Sequence, residues 1–143
     1  MIATPYDESV TTATEAAQRL LAAAADGSLD ELCRRLRVRL LGLFGSAARG
    51  TSTTGSDLDV AVEWLVEGDL LELVDSLTTM ARFDRVDIAV LNGANPTLRA
   101  RALTGVGLYE NEPGAFAVAQ MGALAEWRDT ARLRRLDLRR MAG

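Results

Sequence analysis

Three short apolar runs, VRLLGLF (38–44), LDVAVEW (58–64) and RVDIAVL (85–91), constrain what this chain can fold into. Each reads as a strand, and the stretches around them read as helices. Residues 9 to about 25 gather Ala16, Ala17, Leu20, Leu21 and Ala24 on one side of a helix. Gly27-Ser28 breaks that helix. Ser28 is expected to cap a second one over about 29–36, with Glu31 as its capping-box partner. Leu70, Leu73, Val74, Leu77 and Met80 predict a helix over about 69–81. Asn95 as cap and Pro96 at the first helical position open another at 95–103. VGLYE (106–110) is a short extended piece, and residues 114 to about 141 form one long helix or two. Strands that neither alternate regularly with helices nor segregate from them predict an α+β, or mixed α/β, fold: one small sheet backed by helices.

Composition removes several kinds of chemistry. The 143 residues include no histidine and one cysteine, Cys33. No disulfide can form within the chain. Histidine-based nucleophilic schemes and nearly all zinc sites are excluded, so acid–base or metal chemistry here must use carboxylates. Cys33 shares a helical face with Leu29, Leu32 and Leu36 and reads as a small core residue. No apolar run approaches the roughly 18 residues of a membrane span. The start, MIATPYDESV, lacks a basic segment followed by an apolar one, so no secretory signal is read and a cytoplasmic location is expected.

All 16 basic residues are arginine, unevenly placed. Residues 128–143 hold six of them against Asp129 and Asp137, a net +4, and the remaining chain carries −8. Arg128, Arg132, Arg135 and Arg139 fall on one helical face, with Leu133, Leu136 and Leu138 as an apolar complement. Such a tail is either a docking surface for an acidic or phosphate-bearing partner or a solvated helix face.

Two of the strand runs bring acids with them. Asp57 and Asp59 stand either side of Leu58, and alternation along a strand puts both on one side. Two close carboxylates repel, and a hard divalent cation such as Mg²⁺ removes the conflict. Taken alone, the pair could equally be solvated acids on the turn Gly55-Ser56-Asp57. Asp87 adds a third acid inside RVDIAV, a poor structural choice unless it is paired or ligating. Asp84 falls in the turn-like RFDR and reads as solvated. Upstream, Gly45-Ser46 follows the first strand directly, and SAARG can form a short helical turn. Backbone N–H groups at a helix start, with a serine hydroxyl, suit an anion, although Ser46 is also a plain cap candidate. Arg49 is either a charged fork for a phosphate or a surface pairing residue.

The order Gly45-Ser46, Asp57-x-Asp59, then Asp87 in an apolar strand resembles the nucleotidyltransferase motif of the DNA polymerase β superfamily. GSAARGTSTTGSDLDVAV is similar in particular to the minimal nucleotidyltransferases of prokaryotes, and the likeness spans about residues 36–110. It implies a polymerase-β-like core with a C-terminal helix, in which Asp57, Asp59 and Asp87 are catalytic and hold two Mg²⁺ ions, with Mn²⁺ as an alternative. Gly45, Ser46 and Arg49 would bind the nucleotide, ATP, and Asp87 would serve as the acceptor-side base. It also implies a function: an antitoxin that transfers AMP to a tyrosine of a cognate HEPN-family ribonuclease toxin. Nucleotidyl transfer to a small molecule such as an antibiotic, and an antitoxin that only binds, are the alternatives. At this length the chain is expected to be a single nucleotidyltransferase domain over 1–143, with N-terminal helices (1–36), a catalytic core (37–110) and a C-terminal helical segment (111–143). Its acidic body argues against direct nucleic-acid binding.

Overall fold

In the computed structural model, which describes residues 11–142, the elements run α1 (Ala13–Asp26), α2 (Ser28–Arg35), β1 (Val38–Phe44), α3 (Gly45–Arg49), β2 (Leu58–Trp64), α4 (Leu70–Ala81), β3 (Val86–Val90), α5 (Pro96–Ala102), β4 (Val106–Glu110), α6 (Ala115–Asp129) and α7 (Ala131–Ala142). The four strands form one sheet in the order β3-β2-β1-β4. β1 pairs antiparallel with β2 and β4, whereas β2 and β3 run parallel. The sheet is therefore mixed and helix-backed, as expected. Residues 9 and 10, predicted to begin the first helix, lie outside the described residues, as does the side chain of Leu138.

Local chemistry sets the boundaries. Thr12 caps α1 through a reciprocal pair with Glu15, the Glu15 amide donating to Thr12 Oγ1 and the Thr12 amide to Glu15 Oε1. Ser28 does not cap α2. Gly27 occupies the position between the two helices, and the amide and hydroxyl of Ser28 donate to Asp26 Oδ1 at 2.8 and 2.7 Å. Ser28 is the first residue of the helix, one position past the cap, so the Glu31 amide donates to the Gly27 carbonyl instead of to a serine hydroxyl. Asn95 does cap α5, accepting from the Leu98 amide at 2.8 Å, with Pro96 in its first turn. Residues 115–142 are two helices that meet at Thr130.

The sheet has two unlike faces. Leu58, Val60, Val62 and Trp64 of β2, with Val38, Leu41 and Leu43 of β1, point to one face and join the buried residues of α1, α2 and α4 in the larger core. Cys33 is buried there, and burial pushes its thiol up to about 12, which leaves it an inert core residue. Leu21, expected on the packed side of α1, is 40% exposed, and Ala23 takes the inward position. The other face carries small residues. Ala61 and Ala89 join Phe44, Leu91, Ala102, Leu103 and Ala123 in a second, smaller cluster under α5 and α6. Glu110 ties β4 to α6, its carboxylate accepting from the amides of Gly114 and Phe116. Among the described residues no helix is long and apolar enough to cross a membrane.

The larger core should dominate stability. Leu77 is fully buried in it, so Leu77→Ala should cost about 2–5 kcal/mol through lost transfer energy and the cavity left behind. The shift in denaturant midpoint at unchanged m-value measures it.

Candidate active site

The acids collect on the thin face. Asp59 is the register partner of Phe44 on β1 and of Asp87 on β3. Phe44, Asp59 and Asp87 therefore form a row across three adjacent strands with their side chains on one side. Asp59 is half-buried and Asp87 exposed. Burial pushes the Asp59 carboxyl above its usual range, the like charge of Asp87 pushes it further, and Arg101 pulls it back. Asp57 raises it and Arg49 lowers it by smaller amounts. The half-buried carboxylate thus feels two acids and two arginines across one space.

Asp57, one residue ahead of β2, is exposed and turned toward Arg85, whose Nε stands 3.5 Å from Asp57 Oδ1. Arg85 also donates to the backbone oxygens of Thr54 and Ser56 at 2.9 and 3.3 Å, and so holds the 51–57 loop against the start of β3. Among the described residues no three His, Cys, Asp or Glu side chains are grouped closely enough to hold an ion as they stand. Asp59 and Asp87 are side by side on adjacent strands, and Asp57 stands beside Arg85. Asp84 is exposed in the turn before β3, as expected.

Gly45 explains the approach of α3 to this row. It sits at φ +74°, in the left-handed region that glycine enters at little cost. A Cβ built on it would overlap Asp59 Oδ2 and lie 3.1 Å from Asp59 Cγ. The backbone thus packs directly on the carboxylate. The residue at the cap position of α3 is Phe44, which supplies no side-chain cap. Ser46 is half-buried, and its hydroxyl has no hydrogen-bond partner among the described residues, so it is not spent as a cap. Arg49, in the last turn of α3, is exposed and makes no ion pair among the described residues.

Arg101 is the residue that sequence reasoning missed. From the end of α5 its guanidinium stands 6.0 Å over the Phe44 ring. It also lines a groove of about 590 Å³ between α5 and α6, with Ala100, Leu103, Met121, Leu124 and Trp127. None of the three acids lines this groove. Arg99, two residues earlier, is spent on the Leu91 carbonyl at 2.8 Å and on Glu63. The sequence offers no sign of which of the two arginines is tied down. Further along, Arg134 lies over the Trp127 ring at 4.0 Å, and Arg132, Arg135 and Arg139 are exposed on α7.

A serine in the short helix after one strand, an acid on the next with another just ahead of it, and a third acid on the strand beside make a face suited to phosphoryl chemistry. Residues 28–114, more than half of the chain, match the family Polymerase beta, Nucleotidyltransferase, and the protein belongs to that family. No curated protein matches the chain. Among solved structures it resembles a chain of a toxin–antitoxin complex with AMP-PNP (TM-score 0.65, 22% identity, 80% of this chain and 96% of that one). It also resembles a chain of a mutant MntA–HpeT toxin–antitoxin (0.66, 21%, 82% and 98%). A third likeness is to a chain of the tri-AMPylated Shewanella oneidensis HEPN toxin in complex with MNT antitoxin (0.62, 18%, 86% and 99%).

Proposed function

We propose that this nucleotidyltransferase is an antitoxin that transfers AMP from ATP to a tyrosine hydroxyl of a cognate HEPN-family toxin. The observation that carries the reading is the pairing of Asp59 with Asp87 on the small-residue face of the sheet, with Gly45 packed on Asp59. The solved complexes with AMP-PNP and with an AMPylated HEPN toxin support the choice of nucleotide and acceptor. A macromolecular acceptor is supported by Val118, Met121, Leu124 and Trp127 of α6, which are 64, 65, 43 and 38% exposed. Large apolar groups left together in water mark a contact surface.

The donor set is all carboxylate oxygen, and the Asp59 carboxyl is raised first by burial and then by the like charge of Asp87 beside it. Both fit a hard divalent ion. Asp57, Asp59 and Asp87 would hold two Mg²⁺, which when bound supply charge stabilisation to the attacking and leaving oxygens of an in-line displacement. The chain's own groups do the rest. The Ser46 hydroxyl and the amides that open α3 hold the triphosphate tail, and Arg49 adds a guanidinium. The tyrosine oxygen bonds to the α-phosphorus as the bond from that phosphorus to the bridging oxygen breaks. Pyrophosphate leaves, and Asp87 takes the phenolic proton.

The test is incubation with α-labelled ATP, Mg²⁺ and the product of the neighbouring gene. Label on a tyrosine of that product is expected, and loss of label with Asp59→Asn should accompany loss of toxin neutralisation. Label that migrates with a small molecule, or neutralisation that survives Asp57→Asn and Asp59→Asn, overturns the reading.

A further inference from the structure

We propose that Arg101 is a second polyphosphate-binding arginine, which closes with Arg49 on the β- and γ-phosphates of the nucleotide. The proposal rests on the reading above that this face binds a nucleoside triphosphate.

The row across the sheet runs Phe44, Asp59, Asp87, and Arg101 stands over Phe44. Phe44 directly precedes Gly45-Ser46, so Arg101 lies at the end of the row where the triphosphate tail would be held. Asp87, and with it the acceptor hydroxyl, lies at the opposite end. Arg49 approaches from α3 and Arg101 from α5, and both act on the Asp59 carboxyl.

Arg35, Arg39, Arg85 and Arg99 each meet a carboxylate. Arg101 is exposed and makes no side-chain hydrogen bond or ion pair among the described residues. A guanidinium is a planar fork of N–H donors that matches phosphate oxygens two at a time. Phosphates entering a face that carries Asp59 and Asp87 are repelled unless cations offset the charge, and Arg49 and Arg101 both lower the Asp59 carboxyl and so contribute to that offset.

The test separates the phosphates from the rest of the nucleotide. Binding of a fluorescent AMP-PNP derivative with Mg²⁺, and of AMP, is titrated on the full chain for wild type, Arg101→Ala, Arg101→Lys and, as control, Arg132→Ala on the exposed face of α7. Arg101→Ala should weaken the triphosphate analogue about 10- to 100-fold, the scale of a lost charged hydrogen-bonding group. AMP affinity should stay within about twofold, because the α-phosphate is not the target. Arg101→Lys should recover part of the loss, since it keeps the charge but not the fork. Equal weakening of both ligands, unchanged analogue affinity, or a defect seen only in KM for the protein acceptor overturns the proposal. Wild-type protein that binds no nucleotide overturns both this and the functional reading. Wild type that binds nucleotide but labels no protein overturns the acceptor alone, and the role of Arg101 is still decided by the titration.

Discussion

Asp59→Asn should abolish nucleotidyl transfer, by roughly 10³-fold or more, while making the metal-free protein more stable. If Asp59 is a metal ligand as proposed, the loss follows from removing that carboxylate, which forfeits several kcal/mol of transition-state stabilisation, and each 1.4 kcal/mol is about tenfold in rate. The gain follows from the direction of the carboxyl's displacement. Its pKa lies above that of an unfolded aspartate because burial and the neighbouring acid disfavour the charge. The native state therefore binds the proton more tightly than the unfolded state. Stability falls as pH rises from the ordinary carboxylate range through the raised native value, and that loss persists above it. Asparagine does not ionise and escapes the loss. In metal-free buffer at neutral pH the variant should melt higher than wild type, and the difference should vanish below the ordinary carboxylate range. Adding Mg²⁺ with a non-hydrolysable nucleotide should raise the wild-type melting temperature and leave the variant's unchanged. A variant that melts lower than wild type in metal-free neutral buffer would mean that Asp59 is a structural residue.

Gly45→Ala should cost at least about 100-fold in transfer, since a displacement near 1 Å at a reacting group has that scale. Two effects act at once. The left-handed backbone costs an alanine about 1–2 kcal/mol, and the new methyl would occupy the place of the Asp59 carboxylate. Gly50 separates them. It also sits at φ +74°, and a Cβ there would meet nothing within 4 Å. Gly50→Ala should therefore show the backbone penalty as a lower melting temperature, with transfer largely kept. If both alanine variants lose transfer equally, the contact with Asp59 is not the reason for glycine at position 45.

The difference between what could and could not be read from the chain is physical. The strands were legible because each is a Val-, Leu- or Ile-rich run broken by few polar residues, and the start of α5 because the Asn95 cap acts within three residues. Position on the sheet was legible for Asp59, since alternation with Leu58 and Val60 leaves one side for it. Ser28 was misread because the left-handed Gly27 takes the cap position and puts Ser28 inside the helix, one residue earlier than its type suggests. The pairing of Asp57 with Arg85 and the approach of Arg101 to Phe44 join residues 28 and 57 positions apart. No local pattern reports such meetings. They depend on the parallel β2–β3 register and on where α5 lands, both of which are tertiary outcomes.

The unequal faces of the sheet bear on how a lineage built on this fold can change its habits. Bulky side chains that lock the helices in place point one way, and Ala61, Ala89 and the acids point the other. On the reading proposed above, substitutions that alter the contact with a protein acceptor fall on the exposed apolar side of α6, away from the residues that hold α1, α2 and α4 to the sheet. Drift in recognition and drift in foldability thus draw on separate sets of positions. A pair of co-evolving proteins can exchange compensating changes at their contact without each change first having to be rescued in the interior.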